Sequence, residues 1–379
     1  MTIIHIVDPF AGGLATFLKL LTEQLREDKH IIIHGERKEL VDKTEVKKIF
    51  PKENVKFIHW KSVQREISVI KDFQAYLELI QILRRFRKAD AVHLHSSKAG
   101  FIGRLACKHV GISNVIYTPN GAPFLMSGIS KVKSIFYSQL EKFAYHFGGK
   151  VVCASASEQK EYLNRNIDAS FINNGTKISK NSFLKDKTYQ KFRIVTSGRI
   201  ADQKNPEKFN AIALEFAGLS HFEFVWIGDG DEHKTLNSPN IQITGWLSNE
   251  GVRNEIQKAD LYLSTSYFEG LPFAVIEAMS LGKCLLLSDC TGNKDLVING
   301  INGETFSNKE EAVNYIVYFY LNKSITETMG LNSIEICKDY FNIEETALRY
   351  KIEYQRVSGK ITDSALLNEL FSKKSLSLE

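Results

Sequence analysis

Short apolar runs recur along the chain, each ending in a polar or glycine-bearing loop. IIHIVD (3–8), HIIIHG (30–35), AVHLH (91–95), VIYTP (115–119), KVVCAS (150–155) and FIN (171–173) read as strands. Between them the apolar period changes. Phe17, Leu20, Leu21 and Leu25 follow a Gly12-Gly13 loop at helical spacing, and Phe73, Tyr76, Leu77, Ile80, Leu83 and Phe86 mark one face of an amphipathic helix over 71–88. Strands alternating with helices predict a parallel sheet covered on both faces. After a polar, lysine-rich stretch at 174–191 the pattern restarts with FRIVTSG (192–198), FEFVWIG (222–228), IQITG (241–245), DLYLSTS (260–266) and KCLLLSD (283–289). The chain therefore reads as two α/β domains, 1–180 and 190–340. A helical pattern at 344–357 and a polar tail from 360 occupy the remaining residues, 341–379.

The strands run into loops that hold conspicuous polar residues and glycines: Pro9 to Gly13, Ser96 to Lys98, Asn120-Gly121, Gly198-Arg199, Asp229 to Asp231 and Tyr267 to Glu269. In open α/β sheets ligands sit beyond the carboxyl ends of the strands. Two such sheets facing one another would gather these loops around one cleft. The expected fold is therefore α/β, two Rossmann-like domains with parallel sheets facing across a cleft.

Composition narrows the class. The 379 residues are 43% apolar and 25% charged, the balance of a soluble globular chain long enough for two cores. The five cysteines form no C-x-x-C pair, which argues against a disulfide framework or a zinc site. MTIIHIV carries no basic leader, and no window of ~18 uncharged apolar residues is present, so neither a signal peptide nor a membrane span is expected. The net charge of +5 is unevenly placed: residues 1–190 hold 30 Lys+Arg against 18 Asp+Glu, and the remainder 19 against 26. A basic half suits phosphate-bearing substrates, nucleic acid or an anionic membrane, or is simply a solvated surface.

The chemistry concentrates in FEGLPFAVIEAM (268–279), which reads strand end, loop, helix. Pro272 fits a helix start. Gly270 allows close approach of a ligand, and backbone N–H groups there suit a diphosphate. Glu269 falls in the loop and Glu277 inside the helix, where a carboxylate can accept paired sugar or ribose hydroxyls.

This stretch resembles the Glu-x7-Glu signature of the retaining glycosyltransferases of family 4, which have the GT-B fold. The resemblance implies that Glu269 contacts the donor sugar and Glu277 the ribose, with Gly270, Leu271, Pro272 and Phe273 at the diphosphate. SGRIADQKNP (197–206) is similar to the family's Gly-Arg…Lys element, so Gly198, Arg199 and Lys204 would serve the donor diphosphate, whose developing charge fixed cations stabilise. By the same resemblance the backbone at Gly245, Trp246 and Leu247 would meet the nucleobase, and Gly12-Gly13 would approach donor phosphates and acceptor. HSSKAGFIGRLA (95–106), YTPNGAPF (117–124) and SDCTGNKDLV (288–297) look like bacterial enzymes that build capsule and O-antigen polysaccharides.

The resemblance implies a metal-independent, retaining hexosyltransferase without a cofactor. It would use a nucleotide sugar, a UDP-sugar, and a lipid-linked saccharide acceptor, with no nucleic acid partner. His95, Lys98 and Asn120 join Gly12 on the acceptor side. Many members read T-P-H-G where this chain has Thr118-Pro119-Asn120-Gly121, and Asn120 cannot take a proton. The departing phosphate can do so in a front-face transfer.

Asp229-Gly230-Asp231 resembles a metal motif but fits a loop. His93 and His95 share a strand face with no third ligand evident, so His95 reads as a cleft residue and His93 as packed. Arg84, Arg85, Arg87 and Lys88 suit a helix C-terminus. Lys131, Lys133 and Lys142, among Phe124, Leu125, Met126, Ile129, Ile135, Phe136 and Tyr137, suggest contact with the inner face of the cytoplasmic membrane, or core and solvent respectively. Two alternatives remain: a sugar-nucleotide epimerase or phosphorylase on the same fold, and a non-catalytic binding protein.

Overall fold

A computed structural model describes residues 1–35, 50, 53–64, 67–126, 129–178 and 191–361. Most of the lysine-rich stretch and nearly all of the tail lie outside the described residues. Residues 1–174, with the helix that begins at Ile343, form one compact unit, and 175–342 form the other.

The first unit runs β1 (Thr2–Val7), α1 (Gly12–Gln24), β2 (Lys29–His34), β3 (Val55–His59), α2 (Val69–Arg84), β4 (Ala91–His95), α3 (Ser97–Val110), β5 (Val115–Thr118), α4 (Lys131–Tyr145), β6 (Lys150–Cys153), α5 (Ala156–Leu163) and β7 (Ala169–Phe171). Its sheet is parallel, in the order β3-β2-β1-β4-β5-β6-β7. Strands buried on both faces read as near-continuous apolar runs, which is why IIHIV and HIIIH stood out. β3 did not, because it is a half-buried edge strand. The register sets His5 beside His93 and Val7 beside His95. Gly12 and Gly13 form the exposed first turn of α1 rather than a preceding loop, with Gly12 at φ +56°.

The second unit runs β8 (Phe192–Ser197), α6 (Pro206–Leu214), β9 (Phe222–Ile227), β10 (Ile241–Ile243), α7 (Asn249–Gln257), β11 (Leu261–Ser264), α8 (Phe273–Ser280), β12 (Cys284–Ser288), β13 (Gly303–Phe306), α9 (Lys309–Leu321) and α10 (Lys323–Tyr340). This sheet is also parallel, in the order β10-β9-β8-β11-β12-β13. Its core gathers Phe209, Phe224, Trp226, Leu263, Leu286 and Phe306.

The last helix, α11 (Ile343–Val357), belongs to the first unit and packs on α1, β4 and β5. Polar contacts dock it. Tyr354 meets His93 Nδ1 at 2.8 Å, Lys150 Nζ meets Glu353 Oε2 at 2.7 Å, and Thr346 Oγ1 donates to the Asn173 carbonyl at 2.9 Å. Lys351 pairs with Asp28, which also holds the N-terminal ammonium.

Candidate functional site

Three loops at the carboxyl ends of β8, β11 and β12 are stitched into one surface. After Ser197 the chain passes Gly198 and a half-buried Arg199 into a 3-10 turn, Asp202–Lys204. Gly198 is at φ +136°, and a Cβ on Gly228 would lie 2.2 Å from the Gly198 carbonyl, so this crossing requires glycine. Thr265 Oγ1 donates to the carbonyls of Lys204 (2.8 Å) and Asn205 (3.0 Å), and Gln203 Nε2 donates to the Phe268 carbonyl (3.0 Å). The third loop joins through Glu269 N, which donates to the Thr291 carbonyl at 2.9 Å.

The centre of this surface is a salt bridge. Lys204 Nζ lies 2.7 Å from Glu269 Oε1, and Gln203 Nε2 donates to Glu269 Oε2 at 3.3 Å. Burial disfavours the Lys204 charge, but Glu269 and Tyr262 more than offset it, and its pKa sits above the ordinary lysine value. The nearby Cys290 stays a thiol, pushed up to about 12 by burial and then by Glu269.

Gly270, Leu271 and Pro272 are buried behind the pair and lead into α8, where Pro272 occupies the N-cap position with no side-chain cap. Glu277, on α8, meets Arg253 Nη1 on α7 at 3.4 Å. Burial raises the Glu277 pKa, and Arg253 opposes the rise only in part. Gly245, at φ +71°, bridges to Gly228, and Trp246 and Leu247 follow it exposed. The second unit thus brings Gly198, Arg199, Lys204, Glu269 and the start of α8 to the carboxyl ends of its strands. Asp229 lies in the loop after β9, where its Oδ1 accepts from Gly230 N at 2.8 Å.

In the first unit the sequence-predicted residues have differing environments. Asn120 follows β5, partly exposed, at φ +56°, a conformation asparagine tolerates better than most residues. Lys98 is committed to its own unit, with Nζ 2.7 Å from Asp72 Oδ1 and 2.6 Å from the Gln64 carbonyl. His95 is wholly buried rather than presented to solvent.

His95 ends a chain of buried imidazoles. His30 Nε2 donates to the Leu25 carbonyl at 3.2 Å, which leaves its Nδ1 to accept from His5 Nε2 at 3.1 Å. His5 Nδ1 in turn accepts from His95 Nε2 at 3.1 Å. With all three neutral, the tautomers follow from that one carbonyl, and the chain ends on His95 Nδ1, which is buried without a hydrogen-bond partner. Burial drives His5, His93 and His95 well below the ordinary histidine pKa, and His30 to about 4. His5 is the third imidazole that the sequence did not reveal beside His93 and His95, their ligand atoms lying within 4.8 Å of one another. The group contains no carboxylate to balance a cation.

Two residues escaped sequence reasoning. Glu158 is buried, and its carboxylate accepts from Gly121 N (2.7 Å) and Ala154 N (3.0 Å), pinning the Asn120-Gly121 loop to α5. Its signal was the Ser155-x-x-Glu158 spacing of a helix N-terminus, and Ser155 Oγ does accept from Glu158 N at 3.2 Å. Arg253 had no local signal.

Residues 11–180 match the family described as Glycosyltransferase Family 4, and residues 177–335 match Glycosyl transferases group 1. The chain is 30% identical over 265 residues to the UDP-Gal:alpha-D-GlcNAc-diphosphoundecaprenol alpha-1,3-galactosyltransferase of Escherichia coli, covering 63% of this chain and 67% of that one. It is 26% identical to an uncharacterized 41.2 kDa protein in the cps region of Klebsiella pneumoniae, covering 80% and 85%. Among solved structures, sucrose-phosphate synthase from Thermosynechococcus elongatus superposes with a TM-score of 0.77 at 16% identity, covering 95% of this chain and all of that one. Anabaena HepE, in complex with UDP and glucose, gives 0.74 at 16% identity, covering 93% and 98%. Two parallel Rossmann-like units of the GT-B fold, together with matches that run from residue 11 to residue 335, place the chain in glycosyltransferase family 4.

Proposed function

We propose that this glycosyltransferase moves a sugar from a UDP-sugar to a lipid-linked saccharide, with retention and without a metal ion. The observation that carries the reading is the Lys204–Glu269 pair at the edge of the second sheet, beside the start of α8. A half-buried ammonium and a buried carboxylate that neutralise each other avoid an uncompensated charge. A nucleotide sugar offers each a better partner: phosphate oxygens for Lys204 and hydroxyls for Glu269. Arg199 adds a second fixed cation, so the charge of the leaving diphosphate is balanced without a divalent ion. In the transfer, the bond from the anomeric carbon to the phosphate oxygen breaks and the bond to the acceptor oxygen forms on the same face. The acceptor's proton goes to the departing phosphate, which explains how Asn120 can stand without a titratable group. Glu277 accepts the ribose hydroxyls, and Trp246-Leu247 flank the nucleobase. Gly12, His95, Lys98 and Asn120 belong to the acceptor side, with His95 acting from below the surface.

The printed activity of the Escherichia coli relative, on a diphosphoundecaprenol-linked sugar, supports the lipid-linked acceptor. So does the surface of the first unit. No helix among the described residues is long and apolar enough to cross a membrane. Val69, Ile70, Phe73 and Leu77 on α2, and Val132, Ile135, Phe136 and Phe143 on α4, are nonetheless exposed. We read these faces, with Lys71, Lys131 and Lys133, as a contact with the anionic inner surface of the cytoplasmic membrane.

A panel of nucleotides and nucleotide sugars in thermal unfolding tests the donor reading. A ligand at 100 times its Kd stabilises by about 2.7 kcal/mol. One UDP-sugar is expected to raise the melting temperature of the wild type and not of Glu277→Ala, and turnover with acceptor is expected to survive EDTA. Absence of a shift with every nucleotide would sink the reading. Conversion of the UDP-sugar without acceptor would replace it with epimerisation.

A further inference from the structure

Arg253 stands 24 residues before Glu277 in the chain and meets it in space. It rises from α7, which follows directly on Trp246-Leu247 and is capped by Ser248 Oγ accepting from Gly251 N at 3.1 Å. The cap and the packing of α7 on α8 hold the guanidinium beside the carboxylate. The contact is long for an ion pair, 3.4 Å from Nη1 to Oε1, with the side chains 29% and 27% exposed. Among the described residues each is the other's sole polar side-chain partner. That leaves Glu277 Oε2 and most of the Arg253 fork open to a ligand.

Resting on the donor reading above, we infer that Arg253 is a positioning residue for the nucleotide: it aims Glu277 and supplies the counter-charge under which that carboxylate accepts the ribose hydroxyls. A protonated Glu277 would lose acceptor capacity, and burial on α8 pushes it in that direction. Arg253 is the charged group that opposes the push. On the other sides of α8, β11 and β12 contribute LYLS and CLLLS, with Tyr262 bonded to Ser197 and Cys284 to Met329. From α10, the Cys337 thiol donates to the Ile276 carbonyl and not to Glu277.

The test is UDP affinity by calorimetry between pH 5 and 8 for wild type, Arg253→Ala, Arg253→Lys and Glu277→Gln. Arg253→Ala is expected to weaken UDP about tenfold or more at pH 7.5. It should also move the acidic limb of binding to higher pH, because Glu277 then protonates more readily. Arg253→Lys should restore the limb but only part of the affinity, since an ammonium replaces the charge and not the fork. With saturating donor, kcat should change far less than KM. A wild-type affinity and pH profile in Arg253→Ala, with binding lost in Glu277→Gln, overturns the role of Arg253 and leaves the donor reading standing. Failure of the wild type to bind UDP, GDP or ADP overturns both. A merely structural role would lower the melting temperature without moving the limb.

Discussion

Gly292 shows how narrow the tolerances are around Glu269. It sits at φ +84°, and a Cβ there would lie 2.8 Å from Glu269 Cβ and from the carbonyl oxygens of Glu269 and Gly270. Two of those three atoms are backbone, so the loop carrying Glu269 would have to move. Gly300, at φ +78°, would meet nothing within 4 Å. An alanine at either position bears a similar backbone cost of about 1–2 kcal/mol. Only Gly292→Ala should also displace Glu269 from Lys204. We therefore expect both variants to lose thermal stability, Gly292→Ala more than Gly300→Ala because it adds the clash to the shared backbone cost, and only Gly292→Ala to lose most of its affinity for the donor. Equal donor affinity in the two would mean that the loop position does not matter. The two glutamates were legible in the sequence because one loop and the helix it enters carry both. Arg253 and Glu158 were not, since each acts on a partner that only the fold brings near, 24 and 37 positions away.

At the scale of elements, the parallel order explains where the exposed apolar residues fall. α2 leads from its C-terminus into the start of β4, and α4 begins beyond the carboxyl end of β5. Both helices pack on α3, and both N-termini lie at the carboxyl edge of the sheet, the edge that carries Gly12, Gly13 and Asn120. Val69 and Val132, in those first turns, are 85% and 76% exposed. Phe124, counted in the sequence with the membrane set, is instead core: it packs on Tyr162 and lies under Arg165. The sequence could not separate the two, because helical periodicity marks an apolar face without saying what covers it. A lipid surface at this edge would hold a lipid-linked sugar near the loops proposed above for the acceptor. The protein is expected to sediment with anionic vesicles at low salt, and less so as salt rises. Ile70→Ser with Phe136→Ser should abolish sedimentation and spare UDP binding. Sedimentation that persists in this variant would mean that the faces serve another purpose.

For the whole molecule, the buried histidines make stability a function of pH. His5, His30, His93 and His95 share the centre of the first sheet, and α11 closes over them through Tyr350 and Tyr354. In the folded state all are neutral well below their ordinary pKa of 6.5. Unfolding returns each to that value, so below pH 6.5 the unfolded chain binds more protons, and stability falls as pH falls. The contribution is complete above pH 6.5 and, for His30, is lost as pH drops through about 4. His30 alone then accounts for about 2 kcal/mol between pH 7.5 and pH 5. His30→Gln keeps a donor for the Leu25 carbonyl and an acceptor for His5 Nε2, but does not titrate. Urea unfolding at pH 7.5, 6.5 and 5 should show the wild type losing several kcal/mol, a loss that His30→Gln reduces by about 2 kcal/mol. A flat wild-type profile, or an unchanged slope in the variant, would mean that the imidazoles are solvated rather than sealed beneath α11. The same comparison separates two demands on acid tolerance. On the proposed donor reading, binding falls as Glu277 in the second unit is protonated, whereas loss of the histidine core would destabilise the first unit irrespective of nucleotide.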